Sequence, residues 1–453
     1  MKRFGWRLAA VSSVLVAVSY GATRPQYGGT AHVLLRIAPV SLDPLSSQIG
    51  SISSGNVLRL LFDTLVTTGD NGEVQPSLAV TWSSGRDGRH WRFQLRPDVK
   101  FDDGSPLTSE LVAASLRAAN PGWSVFAQGD SVAIDVDVPN PSLGAELALA
   151  RNSIVKRGTA VPNGTGPFRV ADWSPGKKLV VIANEEYWRG RPFLNSVEIE
   201  FGKTYREQVA ALQLGRAEVV EIPSEQARRM EAGGRRVFES GPVELLALVF
   251  TGEAQSANEL KLRDALALCI DRASIKNVLL GGEGEQAGGI LPNWISGYAF
   301  LFPSDMNVAK ALEERGEVNQ APAWTLSYDA GDPVNQVMAE RIALNARDVG
   351  LRVQPSSQAN GDVRLVRIRL EAMNAWINLK NVAARVGAGE PAAGANSAEA
   401  LYQAESTLLH GRRIIPLFHV PVNYGLGTQL KGWHGNRDGN WSAEDLWLGT
   451  ERN

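Results

Sequence analysis

Apolar residues recur along the chain in two rhythms. At 91–95, Trp91, Phe93 and Leu95 occupy every second position with Arg92 and Gln94 between them, which predicts a strand with one buried face. Val132, Ile134, Val136 and Val138 repeat that alternation before Pro139-Asn140-Pro141 breaks it. At 56–66 the rhythm is helical, with Val57, Leu60, Leu61 and Leu65 on one stripe. Thr108 is a good N-cap for a helix running to about 117, with Glu110 in its first turn, where the helix dipole favours negative charge. A strand at 30–37, a hairpin of strands at 168–173 and 178–183, a helix at 205–214 closed by Gly215 and a strand at 218–222 follow from the same reasoning.

Further on, 245–251 reads as a buried strand and 259–270 as a helix. The segment 324–328 predicts a strand. Asp332-Pro333 then opens a helix striped by Val334, Met338 and Ile342 and ended by Gly350, and 351–353 is a strand again. This strand–helix–strand unit implies a parallel pair and an α/β domain. Residues 381–400 are Ala/Gly-rich, which predicts a surface loop or a poorly packed helix. The first 21 residues have the layout of a cleaved secretory leader: basic Lys2, Arg3 and Arg7, an apolar run at 8–18, then Ser19-Tyr20-Gly21. No cysteine follows that run, so a lipid-anchored form is not expected, and the mature protein is expected to be periplasmic.

Composition narrows the function. The 453 residues are 44% hydrophobic and 21% charged with a net charge of −2, so no basic field invites nucleic acid. The five histidines lack zinc-helix spacing, and the single Cys269, in an apolar helical stretch, allows no disulfide or cysteine metal site, so no metal or other cofactor is expected. There is no G-x-S-x-G elbow and no P-loop. Gly282-Glu283-Gly284-Glu285-Gln286-Ala287 fits G-x-G-x-x-A only formally, because it follows a helix and not a strand, and Asp102-Asp103 beside Gly104 and Pro106 reads as a solvated turn.

Taken in order, several blocks resemble the peptide/nickel-type extracellular solute-binding proteins, which include the dipeptide- and oligopeptide-binding proteins of ABC importers. They run from Tyr27-Gly28-Gly29-Thr30 and Ser41-Leu42-Asp43-Pro44 through Phe93-Gln94-Leu95-Arg96-Pro97-Asp98-Val99-Lys100-Phe101-Asp102-Asp103-Gly104-Ser105-Pro106. Gly164-Thr165-Gly166-Pro167-Phe168, Asn184-Glu185-Glu186-Tyr187-Trp188-Arg189, Arg263-Asp264-Ala265-Leu266, Ile415-Pro416-Leu417-Phe418-His419 and Lys431-Gly432-Trp433 continue the series. The resemblance implies an α/β, two-lobed periplasmic-binding-protein fold of type II with a ligand cleft between the lobes. Lobe I would comprise 27–43, 165–244 and 422–453, an extra subdomain 44–164, and a shortened lobe II 245–421. Hinge crossings would lie near 244–251 and 421–424. The implied partners are a small solute, most simply a peptide, and the permease subunits of an ABC transporter, with the protein a monomer and not an enzyme. A ligand sensor or interaction protein that kept the fold, or an extracytoplasmic hydrolase, are the competing readings.

In peptide-binding members an acidic residue of the second lobe pairs with the ligand's α-amino group, and the matching position here is Glu371. The alternative for Glu371 is a surface carboxylate. Tyr424 matches an aromatic at the second hinge crossing and is either a ligand contact or a core residue. Trp294, Tyr298 and Trp376 sit in loop-like context and are candidate aromatic walls. Arg364, Arg367 and Arg369 are read as alternating along one strand on a shared face, able to take a carboxylate or simply to solvate an edge.

Overall fold

The computed structural model describes residues 24–45, 51–158, 161–298, 302–389, 391 and 397–449. The expected leader lies outside the described residues, as do 390 and 392–396 of the Ala/Gly-rich segment.

Two long antiparallel strands, Arg236–Phe250 and Ile414–Leu426, tie the molecule together. At one end, Ile414–Leu426 pairs with Val219–Ile222, and the sheet continues through Thr30–Leu34, Ser196–Glu200, Lys178–Ala183 and Phe168–Ser174. At the other end, Arg236–Phe250 pairs with Val363–Arg369, followed by Ala323–Ser327 and Arg352–Ser356 in parallel. Midway, Pro242 faces Pro421, and the register shifts on either side of Pro242. Proline has no N–H to give the ladder, so the two prolines interrupt it where the chain passes from one lobe to the other. Ser240 Oγ accepts the Val422 N–H at 2.9 Å and satisfies part of the break. The interruption in the ladder lies at 240–244, at the upstream edge of the expected 244–251 crossing, and 245–250 is buried strand.

The apolar cores separate accordingly. One gathers Val33, Leu35, Leu58, Leu61, Leu179, Ile199 and Tyr424. A second, Leu65 to Ile154, fills the space under a four-stranded antiparallel sheet (Ala79–Ser84, His90–Leu95, Ser131–Val136, Trp123–Gln128) and the helix Ser109–Ala119. Two more cover the faces of the 245–250 strand: Leu246, Leu248 and Phe250 pack on Trp324 and Met338, whereas Leu245, Ala247 and Val249 pack on Ile368, Leu379 and Val382. The helix Ile52–Leu61 buries its stripe in the first core, so the core of the extra subdomain starts only at Leu65.

The quoted motifs have local reasons. A Cβ on Gly164 would lie 1.9 Å from the Leu61 carbonyl oxygen, and one on Gly166 2.4 Å from the Leu61 carbonyl carbon, so only glycine lets this stretch cross the end of the helix Ile52–Leu61. Beside it, Asp63 accepts from Thr165 Oγ1 (2.9 Å), Trp188 Nε1 (2.9 Å) and Tyr187 OH (3.3 Å). The guanidinium groups of Arg96 and Arg189 lie over the Trp188 ring, 4.4 and 4.7 Å from its centre. This knot joins the extra subdomain to lobe I. Burial pushes the Asp63 carboxyl up to about 6, against the pull of those hydrogen bonds.

The Ala/Gly-rich region differs from the expectation of a loop or loose helix. Its first part belongs to a packed helix, Ala375–Val386, capped by Asn374, ended by Gly387 in the left-handed region, and burying Leu379, Val382 and Val386. A second helix, Ala398–His410, follows. Cys269 is buried as expected.

Candidate functional site

The strand Thr30–Leu34 delivers Arg36 to the junction of the lobes, and the neighbouring strand Val219–Ile222 delivers Glu221. The Glu221 carboxylate accepts the Arg36 backbone N–H at 2.6 Å and the Ser53 hydroxyl. Tyr205, the first residue of the capped helix Tyr205–Gln213, lies under the Arg36 guanidinium, 5.6 Å from its ring centre. Arg36 then reaches across to lobe II and pairs with Asp329 at 2.9 Å. From the lobe II side, Arg367 pairs with Glu244 at 2.8 Å and Asp332 at 3.5 Å. Asp332 is also the N-cap of the helix Pro333–Asp348, accepting from Val334 N at 3.1 Å.

These groups line a cavity of about 150 Å³ between the lobes, closed further by Leu280, Val420, Asn423 and Tyr424. Its lining carries two guanidinium groups, Arg36 and Arg367, against four carboxylates, Glu221, Glu225, Glu244 and Asp332. Burial, with Glu244 adding to it, raises the Glu221 pKa even though Ser53 and Arg36 hydrogen-bond it. Burial pushes the Tyr205 phenol up to about 12, with the two arginines opposing. Burial opposes the Arg367 charge, but Glu244, Tyr205 and Asp332 outweigh it and hold the guanidinium charged.

A second, smaller cavity of about 20 Å³ adjoins the first, and Ser51 lines both. Here Arg369 leaves the end of its strand and lies against the helix Ile52–Leu61, where a Cβ on Gly55 would stand 2.8 Å from its Nη1. Its Nη2 donates to Asn440 Oδ1 at 2.5 Å. Arg59 and Glu371 complete the lining. Burial and the adjacent Arg369 lower the Arg59 pKa, with Asp438 opposing. The Nε atoms of Arg59 and Arg369 are buried without a hydrogen-bond partner among the described residues.

The structure thus distributes the seven sequence candidates. Arg367 and Tyr424 line the larger cavity, and Arg369 and Glu371 the smaller one. Tyr424 is fully buried, receives Asn56 Nδ2 at 3.3 Å and packs among Phe238, Trp433 and Trp441. Trp376 faces a separate hollow with Trp123 and Pro141, at the contact of the helix Ala375–Val386 with the extra subdomain. Trp294 lies under the Arg437 guanidinium at 4.7 Å. Tyr298 is turned into lobe II, where its hydroxyl donates to the buried Glu405 and its ring meets Tyr402. The three arginines do not share a face: the odd step from 364 to 367 turns Arg364 to the opposite side, where it is exposed, while Arg367 and Arg369 remain together.

Sequence reasoning missed Arg36, Arg59, Tyr205, Glu221, Glu244 and Asp332. A signal was present for two of them: Glu221 and Glu244 each stand beside apolar strand residues, where an unpaired charge is expensive and needs a purpose. Among the described residues, no group of three His, Cys, Asp or Glu is arranged to hold a metal, and no helix is long and apolar enough to cross a membrane.

Two α/β lobes joined by a pair of crossing strands, with a charged cavity at the crossing, define the architecture of a two-lobed periplasmic binding protein. Residues 73–375 match the model of the bacterial extracellular solute-binding proteins, family 5 (middle region), more than half of the chain, and the protein belongs to that family. It is 24% identical over 361 residues to the probable D,D-dipeptide-binding periplasmic protein DdpA of Escherichia coli (strain K12), covering 72% of this chain and 70% of that one. It is 26% identical over 361 residues to the nickel-binding periplasmic protein of the same organism, covering 70% and 69%. Among solved structures, the dipeptide-binding protein from Pseudoalteromonas sp. SM9913 in complex with Met-Leu superposes with a TM-score of 0.82 at 16% identity, covering 93% of this chain and 100% of that one.

Proposed function

We propose that this protein captures a small solute, most simply a short peptide, in the cavity between its lobes and delivers it to the permease of an ABC importer. It does so as a periplasmic monomer and without chemical turnover. The observation that carries the reading is the cavity built jointly by Arg36, Tyr205 and Glu221 of lobe I and Arg367 and Asp332 of lobe II, beside the paired prolines that interrupt the crossing strands. A ligand held from both sides favours the closed arrangement through contacts that an open one lacks, and closure is what a transporter can read. The relatives named for dipeptide binding support a peptide as the cargo. On this reading the chain divides into lobe I at 27–43, 165–244 and 422–453, the extra subdomain at 44–164 and lobe II at 245–421, except that the helix Ile52–Leu61 packs with lobe I and the subdomain begins near Leu65.

Native mass spectrometry of the protein purified without denaturation tests this. An additional mass of a few hundred daltons that is lost on denaturation, or that appears on incubation with a peptide mixture, is expected. A protein that stays bare with peptides, or one that converts them to products, overturns it.

A further inference from the structure

The extra subdomain and lobe II meet along a seam of their own. Asn374 Nδ2 donates to Ser142 Oγ at 3.0 Å, and Arg151 Nη1 donates to Asn381 Oδ1 at 3.0 Å. Leu149 of the subdomain packs with Ala372 and Ile377 of lobe II. Beside these contacts lies the hollow that Trp376 faces, about 500 Å³ against about 150 Å³ for the cavity between the lobes. Small-molecule sites measure about 300–1,000 Å³, favour domain interfaces and combine apolar and aromatic walls with a few polar groups. The hollow has that make-up: Trp123, Val138, Pro139 and Pro141 come from the subdomain and Trp376 from lobe II.

The two tryptophans differ from most of the others in the chain. Trp123 edges the core of the subdomain, Trp376 edges a core of lobe II, and both stay partly exposed. Among the described residues neither ring stacks on another aromatic ring or lies under a cation, whereas Trp82, Trp188 and Trp324 each do one or the other. A half-exposed indole face is stabilised by a second ring laid against it in an offset or edge-on arrangement. Charge is not what the hollow offers. Glu146 is engaged by Arg151 and by Asn140, each at 2.9 Å, and the exposed Asp137 and Lys380 carry opposite signs. Its other polar side chains are spent within the walls, since Asn140 Oδ1 accepts the Ser142 N–H at 3.1 Å and Ser142 Oγ accepts from Asn374.

We propose that this seam is a second binding site, which takes a small uncharged solute bearing an aromatic ring and holds the ring against Trp123 and Trp376. It lies apart from the cavity between the lobes and does not depend on the solute-capture reading. Because its walls come from both the subdomain and lobe II, an occupant adds contacts that hold the two together.

Titration calorimetry of the purified protein with indole tests this. Saturable binding at a single site is expected, with a Kd of about 1 mM or tighter, and saturating dialanine should not displace it. Trp123→Ala and Trp376→Ala should each weaken indole by about tenfold or more, and Trp376→Phe, which keeps a ring, by about threefold or less. The competition with dialanine uses the unaltered protein, so it decides even where a variant does not fold. Absence of saturable indole binding, displacement of indole by dialanine, or undiminished affinity in Trp376→Ala would each overturn the seam site. A protein that binds indole as expected but does not bind dialanine loses the peptide reading and keeps the seam site, with the tryptophan variants then deciding it.

Discussion

Arg367 is the counter-charge on which the lobe II side of the cavity depends. Its two partners are nearly buried, with side-chain exposures of 9% for Glu244 and 3% for Asp332, whereas Arg367 itself is 29% exposed to the cleft. Arg367→Met keeps most of the apolar stem and removes the charge. A unit pair at 4 Å is worth about 4 kcal/mol at an effective dielectric of 20. Breaking a buried pair from one side costs about 3–5 kcal/mol. Water reaching the exposed part of Arg367 screens the pair, so a loss of about 2–3 kcal/mol at pH 7 is expected. Urea unfolding of the native protein and the variant at pH 7 measures the loss, and adding Glu244→Gln to the variant should restore at least about 1 kcal/mol. A deficit below about 0.5 kcal/mol, or no recovery in the double variant, would refute the argument and mean that cleft water already screens the pair.

Three further expectations follow from other parts of the structure. Asp63, with a folded pKa of about 6 against 3.8 unfolded, lends stability at low pH that is lost as pH rises from about 4 to 6; Asp63→Asn should flatten that slope and stabilise at pH 7 by about 1–2 kcal/mol, the full conversion of about 3 kcal/mol being reduced by partial solvation. An unchanged slope in pH-dependent melting would count against it. Gly166→Ala drives a methyl group into the Leu61 backbone and should cost about 3 kcal/mol or more, whereas Gly122→Ala, with open space around its Cβ and an ordinary φ, should be nearly neutral in the same thermal melts. Tyr298→Phe removes one of the donors to buried Glu405 and should cost about 1–2 kcal/mol while leaving solute affinity unchanged; a tenfold loss of affinity would place Tyr298 in the cleft after all.

What the sequence showed of the fold is what local chemistry controls. The Thr108 cap, the alternation of Trp91, Phe93 and Leu95 and the Asp332-Pro333 helix start each act within a few residues, and each appears in the structure. The strand Ile414–Leu426 could not be read at its true length, because Pro416 and Pro421 break its pattern and it is held by partners nearly 200 residues away. The helix Ala375–Val386 was obscured by its alanines, which carry helix propensity but little of the periodic signal that marks a buried face. The site was least legible for the same reason as the long strand. Arg36 and Asp329 meet across 293 residues, and no local pattern announces that pairing. Arg367 was found because an arginine in an apolar strand is conspicuous; Glu221 carried the same mark in a strand whose neighbours only the topology supplies.

The charges that line the cavity are unevenly engaged. Arg36 of lobe I finds its partner Asp329 in lobe II, so this ion pair ties the two lobes together in the arrangement seen. Arg367 is engaged with Glu244 and Asp332. Glu221 differs from both: burial is the main reason its pKa is raised, with Glu244 adding a smaller contribution of like charge and Ser53 and Arg36 opposing. A buried carboxyl in that position is stabilised by any group that brings positive charge or a hydrogen-bond donor beside it, so charge as well as bulk bears on what the cavity can hold.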